Sequence, residues 1–145
     1  MAKAFSVEDN NLNTSIISSR ARNYKDLDLT FSPKPAGDVY KKVDAASVKQ
    51  AVKNLLMTAQ GEKPFQPYFG SQLGEALFDL DTDFDPEYVQ NIIADAIQTY
   101  EPRAHLLRVS VQLQPDFNSI DASVEFQVVN TKEIVVVDVS LARLR

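Results

Sequence analysis

Three groups of side chains in this 145-residue chain have types and spacings that chemistry could use. The first is a set of glutamates: Glu62, Glu75, Glu87 and Glu101. Cleaving a sugar bond needs two carboxylates flanking it, one kept protonated by an apolar surround. All four glutamates lie at expected helix ends or polar positions, and none sits in an apolar run that would desolvate it. The second group is Asp79, Asp81, Asp83 and Asp85, which alternate like calcium-loop ligands. Phe84 stands where such a loop needs its tight-turn glycine, and Gln90 where it needs its bidentate glutamate. The run therefore reads as an acidic linker between helices. The third is the only histidine, His105, at an expected strand start with no serine–acid constellation readable around it. It reads as a packing or surface residue. There is no cysteine, which excludes disulfides and thiolate metal sites. The expectation is a protein without catalytic residues, cofactor or metal.

Two other segments carry more information. GEKPFQPYFGSQLGEALFD, Gly61 to Asp79, opens with prolines and aromatics that cannot continue a regular helix. Its Phe65, Tyr68 and Phe69 either plug a helix layer or anchor a partner, since aromatics dominate interface hot spots. YEPR, Tyr100 to Arg103, falls where a helical pattern stops. A carboxylate at a helix C-terminus faces the negative end of the macrodipole, at a cost of roughly 0.3–1 kcal/mol. Arg103 can offset that for Glu101, and Pro102 between them limits the backbone. The corner is either a preorganised charged contact or a helix exit with two solvated charges.

The elements around these corners read as an α+β domain: three helices on a mainly antiparallel sheet of three to four strands. Residues 1–26 are polar and aperiodic, an extended N-terminal arm with Ile16 and Ile17 as its adjacent large aliphatics. Residues 27–145 form the domain. Leu27, Leu29 and Phe31 alternate with polar residues as a short half-buried strand. Asp44 is the expected N-cap of a first helix over 45–59, with Gly61 as its stop. Val48, Ala51, Val52, Leu55, Leu56 and Ala59 form its stripe. Ser71 is expected to cap a second helix over 72–80. Asp85 followed by Pro86 starts a third, which Pro102 ends. Leu107, Val109, Val111 and Leu113 form one strand face. Ile120, Ala122, Val124, Phe126 and Val128 form the next, as an antiparallel hairpin. The last strand, about 133–141, has Val135, Val137, Val139 and Leu141 on one parity and Ile134 and Val136 on the other. Apolar residues on both faces call for a second covering layer, either Leu27–Phe31 or another chain.

The net charge of −5 argues against nucleic acid as a partner. No apolar run approaches the roughly 18 residues of a membrane span. No signal peptide is recognisable, so a soluble, cytoplasmic state is expected.

The ordered set of motifs resembles a known family. It comprises the Leu27–Phe31 segment, Gly37-Asp38, the helix ending NLLMTAQGEKPF, FGSQLGEALF, YEPR and the paired strands. Together these resemble the baseplate wedge subunits, or sheath initiators, of contractile phage tails and type VI secretion systems, some of which carry a lysozyme-like label. The resemblance covers about residues 25–141. Lys63 stands where arginine is common in that family, which loses the planar fork of a bidentate contact. The resemblance implies a structural protein of the virion tail baseplate, assembled in the host cytoplasm. It implies that Glu101, Pro102 and Arg103 dock on wedge scaffold proteins. It also implies that the C-terminal strands, with Val135, Val137 and Val139, recruit the tail sheath protein by strand addition, with tube or hub proteins as further neighbours. No membrane or small-molecule substrate is implied. The competing readings are a peptidoglycan-degrading lysozyme-like enzyme and a generic strand-addition adaptor.

Overall fold

The computed structural model describes residues 23–77, 85–114 and 119–142. Residues 1–22 of the expected arm, Asp79 to Asp83 of the acidic run and the expected turn at Pro115–Asn118 lie outside that description. Two helices and a three-stranded antiparallel sheet form the body. Helix α1 runs Ala45–Met57 and buries Val48, Val52, Leu55 and Leu56. Helix α2 is one turn, Leu73–Ala76. Helix α3 runs Pro86–Tyr100 and buries Val89, Ile93, Ala96 and Ile97. Its start follows the sequence: the Asp85 carboxylate accepts a bond from the Glu87 N–H, and Pro86 takes the first turn.

The sheet has the order β3-β4-β5, with β3 Ala104–Gln114, β4 Ser119–Val128 and β5 Ile134–Ala142. Helix α3 packs on β3 and α1 on β5, so both helices cover one face. The central strand β4 carries the core: Ile120, Ala122, Val124, Phe126 and Val128 are all buried. Val137 and Val139 of β5 join them. Helix α1 covers this parity of β5, and neither Leu27–Phe31 nor another described segment covers the other. Ile134 and Val136, on the opposite parity, are exposed.

Several local expectations differ from the structure, among them the helix expected over 72–80, which is one turn ending at Ala76. The strand expected at Leu27–Phe31 is instead β1, Lys25–Leu27, paired with β2, Lys41–Val43, in a separate two-stranded ribbon. Asp28 ends it, because its carboxylate takes the Thr30 N–H and its carbonyl takes the Phe31 N–H. The Thr30 N–H bond to the carboxylate, with Lys42 beside it, holds the Asp28 carboxyl below its usual range. β1 begins inside the segment read as an arm. Asp44 precedes α1 but makes no cap bond. Its Oδ1 accepts the Tyr24 N–H at 3.0 Å, and its own N–H donates to the Tyr24 carbonyl at 2.7 Å, clasping the ribbon to the helix. Ser71 does not cap α2, since its Oγ donates to the Leu56 carbonyl. In β3 a bulge between Leu106 and Arg108 turns Leu107 outward and puts Leu106 on the inner face with Val109, Val111 and Leu113. One extra residue reverses side-chain parity beyond it.

Helix α1 stops at Met57, two residues before the expected end and well before Gly61. The Thr58 carbonyl accepts the Ser71 N–H instead of continuing the helix. Gly70 makes this crossing possible. Its φ is +124°, and a Cβ there would lie 2.5 Å from the Thr58 carbonyl oxygen. Gly37 has φ +81° with nothing near its missing Cβ. Gly70→Ala is therefore expected to lower unfolding free energy by more than ~2 kcal/mol, against ~1 kcal/mol for Gly37→Ala. Urea denaturation of both variants checks this, and equal losses would mean that the close approach carries no energy.

Candidate partner-docking site

The corner at the end of α3 is built around a carboxylate taken out of water. Glu101 terminates the helix with φ −126° and ψ 73°, and its N–H still bonds the Ile97 carbonyl. Pro102 prevents further helix. The chain then turns directly into β3, with the Ala104 N–H on the Glu101 carbonyl. Arg103 folds back over this turn. Its Nε donates to Glu101 Oε1 at 2.5 Å and its Nη2 to Oε2 at 2.7 Å. The Glu101 side chain is 8% exposed and that of Arg103 30%. These are not the two solvated charges of a bare helix exit, and Glu101 is not offered to solvent. The bonds that Arg103 donates to the Glu101 carboxylate raise its pKa above the usual value.

Tyr24 completes the arrangement, and the sequence reading missed it. The Arg103 guanidinium lies 5.4 Å from the Tyr24 ring centroid, within cation–π range. Asp26 contributes a further favourable charge. The two residues lie in the segment read as an arm. No local signal links them to Arg103, which is far away in sequence. Asp26, Gln50, Asn54, Phe69, Tyr100 and Arg103 line an open groove of ≈ 280 Å³ between the ribbon and the helices. That is at or below the low end of small-molecule sites, roughly 300–1,000 Å³.

The aromatic loop divides its three rings. Phe69 is half-buried and meets Tyr100 edge-on at 5.4 Å. The Lys63 ammonium sits 4.0 Å from the Phe69 ring centroid, a point-charge contact that needs no planar fork. Phe65 is 101% exposed and Tyr68 77% exposed. Yet the loop is braced. The Gly61 N–H bonds the Pro67 carbonyl, the Ala59 N–H bonds Glu62 Oε2, and the Tyr100 hydroxyl bonds the Tyr68 carbonyl. Phe65 sits at positive φ, 66°. The two exposed rings are thus held outward by a rigid frame, while Phe69 fastens that frame to α3.

On β5, Val137 and Val139 are buried, and Val135 packs partly against the core. Their side chains pack into the core of the domain rather than lying open on its surface. What β5 offers outward is its second edge, unpaired among the described residues. His105 is exposed at the start of β3. Among the described residues no three histidine, aspartate or glutamate side chains are grouped to hold a metal. Asp85 is occupied as a helix cap.

The ion pair has a direct energetic consequence. Arg103→Ala leaves a buried carboxylate unpaired and is expected to cost about 3 kcal/mol. Replacing both partners, Glu101→Met/Arg103→Met, is expected to stay within about 1 kcal/mol of wild type. Urea unfolding of the three proteins decides it, and an Arg103→Ala loss no larger than that of the double variant would contradict the buried-pair account.

Comparison with known proteins gives a consistent picture. The profile of the family described as baseplate wedge protein gp25 matches residues 42–133. That stretch contains α1, the aromatic loop, α3, the Glu101–Arg103 corner, β3 and β4. The chain is 29% identical over 110 residues to baseplate wedge protein gp25 of Enterobacteria phage T4, covering 76% of this chain and 83% of that protein. A chain of the anti-feeding prophage baseplate superposes with a TM-score of 0.61 at 23% identity, covering 79% of this chain and 85% of that one. A Geobacter sulfurreducens protein given the provisional name tail lysozyme superposes at 0.59 with 20% identity, covering 68% and 89%. At such identities the structural likeness is one of fold, and the lysozyme name remains that protein's own. The chain belongs to the baseplate wedge protein gp25 family.

Proposed function

We propose that this chain is a non-enzymatic building block of a contractile-tail baseplate that links the inner wedge scaffold to the first ring of sheath. The observation that carries the reading is the Glu101–Pro102–Arg103 corner, locked by two hydrogen bonds at the rim of an open groove. A partner meeting that corner finds an arginine already oriented. Its guanidinium keeps donor capacity beyond the two bonds it makes to Glu101, since arginine carries five donors. Little side-chain entropy is lost on docking, which is how preorganisation raises affinity. Phe65 and Tyr68, held outward by the braced loop, add apolar contact beside it.

The sheath-facing part is the sheet. Strand addition on β5 would use main-chain groups for affinity and side-chain alternation for register. The burial of Val137 and Val139 supports this division of labour, because it anchors β5 to α1 while its outer edge stays available. The mechanism is geometric: a rigid domain fixes the angle and register at which sheath is laid down. A catalytic role finds little support. Both oxygens of Glu101 are engaged by Arg103, and the Glu62 Oε2 accepts a backbone N–H.

Two measurements test the halves separately. Co-purification of wedge scaffold proteins from the native assembly is expected with wild type and to fall at least tenfold with Glu101→Met/Arg103→Met, once equal folding is confirmed. Retention by that variant would move the interface away from the corner. For the sheet, amide exchange across Ile134–Ala142 is expected to slow markedly in the sheath-bearing particle relative to the free protein. Unchanged exchange there would remove strand addition on β5.

A further inference from the structure

The outer face of the β1–β2 ribbon belongs to none of the corner, the aromatic loop and the sheet, and the segment from the ribbon through α1 has an unusual composition. Residues 23–58 carry six lysines against four aspartates, in a chain with 15 basic and 20 acidic residues. Two of those lysines are matched: Lys42 pairs with Asp28 at 3.3 Å, and Lys34 meets Asp38 at 4.0 Å. Of the other two aspartates, Asp44 is bound to the Tyr24 backbone and Asp26 lines the groove beside Arg103. Lys25, Lys41, Lys49 and Lys53 make no ion pair among the described residues.

The strand register arranges two of these into a pattern. Lys25 lies opposite Val43, and Leu27 opposite Lys41. Residues directly opposite, and residues two apart on one strand, share a face. One face of the ribbon is therefore a checkerboard of Lys25, Val43, Leu27 and Lys41. Asp26 and Lys42 occupy the other face, and Asp26 looks into the groove. The checkerboard face looks away from it: Leu27 is 50% and Val43 43% exposed. The ribbon is also fixed in place. Gln50 of α1 bonds the Leu27 carbonyl and the Leu29 N–H, and the Tyr24–Asp44 clasp holds the other end.

Exposed aliphatics alternating with unmatched lysines on a fixed two-stranded surface form a recognition pattern. We infer that this ribbon face is a second docking surface, and that its occupant is an acidic stretch with interspersed aliphatics on another protein of the same assembly. The lysines supply charge complementarity and long-range attraction. Leu27 and Val43 supply the apolar contact that a purely electrostatic encounter lacks. Nucleic acid is the weaker fit, because residues 23–58 contain no arginine and the groups between the lysines are aliphatic rather than stacking rings. The inference rests on the baseplate reading only in locating the partner within that particle.

Zero-length carbodiimide coupling joins lysine amines to carboxylates in direct contact, so it reads this surface in the intact particle. The chain's presence in isolated particles is established first by mass spectrometry, and its absence would overturn both the baseplate reading and this inference. With the chain present, coupled peptides are expected to join Lys25 or Lys41 to an aspartate or glutamate of a different protein. Acetylation of both lysines is expected to fall at least fivefold relative to the free protein. Lys25→Glu/Lys41→Glu, confirmed as folded by an unchanged urea midpoint, is expected to lose incorporation at moderate salt. Leu27→Ser/Val43→Ser is expected to weaken incorporation at all salt concentrations. Equal reactivity of both lysines in particle and free protein would overturn this inference alone and leave them as a solubility device on an edge strand. Couplings solely to a second copy of this chain, or protection removed by nuclease, would likewise overturn it.

Discussion

A carboxylate withdrawn from water at the end of α3 governs the construction of this surface. Glu101 can be buried only if its charge is matched, because an unpaired buried ion is too costly for a marginally stable domain. Arg103 matches it two residues later, after Pro102 has stopped the helix. That requirement pulls three parts of the molecule together. The Arg103 carbonyl accepts the Val129 N–H just past β4, fixing the corner to the sheet. Tyr24 lies over the guanidinium, and through Asp44 the same residue is tied to the start of α1. The ribbon, a helix start and the sheet thus converge on one ion pair.

The remaining architecture produces rigid outward features. The sheet is covered on one face by α1 and α3, so its apolar parity is filled and its opposite parity faces solvent. The aromatic loop is locked by the crossing at Gly70 and by the Tyr100 hydroxyl, which leaves Phe65 and Tyr68 standing outward. An assembly component gains from this. Surfaces that are ordered before contact lose less entropy on binding, and their angles are transmitted to whatever is built on them. Membership of a wedge family fits a molecule whose exposed features are corners, edges and a ribbon.

Much of this body was legible from local chemistry. Asp85 followed by Pro86 marked the start of α3 to the residue, because a cap bond and a proline-compatible first turn are properties of adjacent residues. The stripes of α1 and α3 and the alternation of β4 marked which faces are buried, since those periods are written along one element. The departures lie where a residue's partner is remote. Asp44 and Ser71 look like caps, but each bonds a distant main-chain group that tertiary packing brings within reach. Leu107 follows the period of its strand until a bulge, set by pairing with β4, turns it outward.

The sequence by itself determined the buried stripes of α1 and α3, the start of α3, the hairpin of β3 and β4, and the proximity of Glu101 to Arg103. Tertiary structure alone decided that this pair is buried and bidentate, that Tyr24 covers it, that Phe65 and Tyr68 face outward while Phe69 packs inward, and that Val137 and Val139 belong to the core. The reason is one of range. Propensity, capping and periodicity act over a few residues, and a sequence displays them directly. Burial and orientation depend on which distant segments share a face, and that is established only when the layers close on one another.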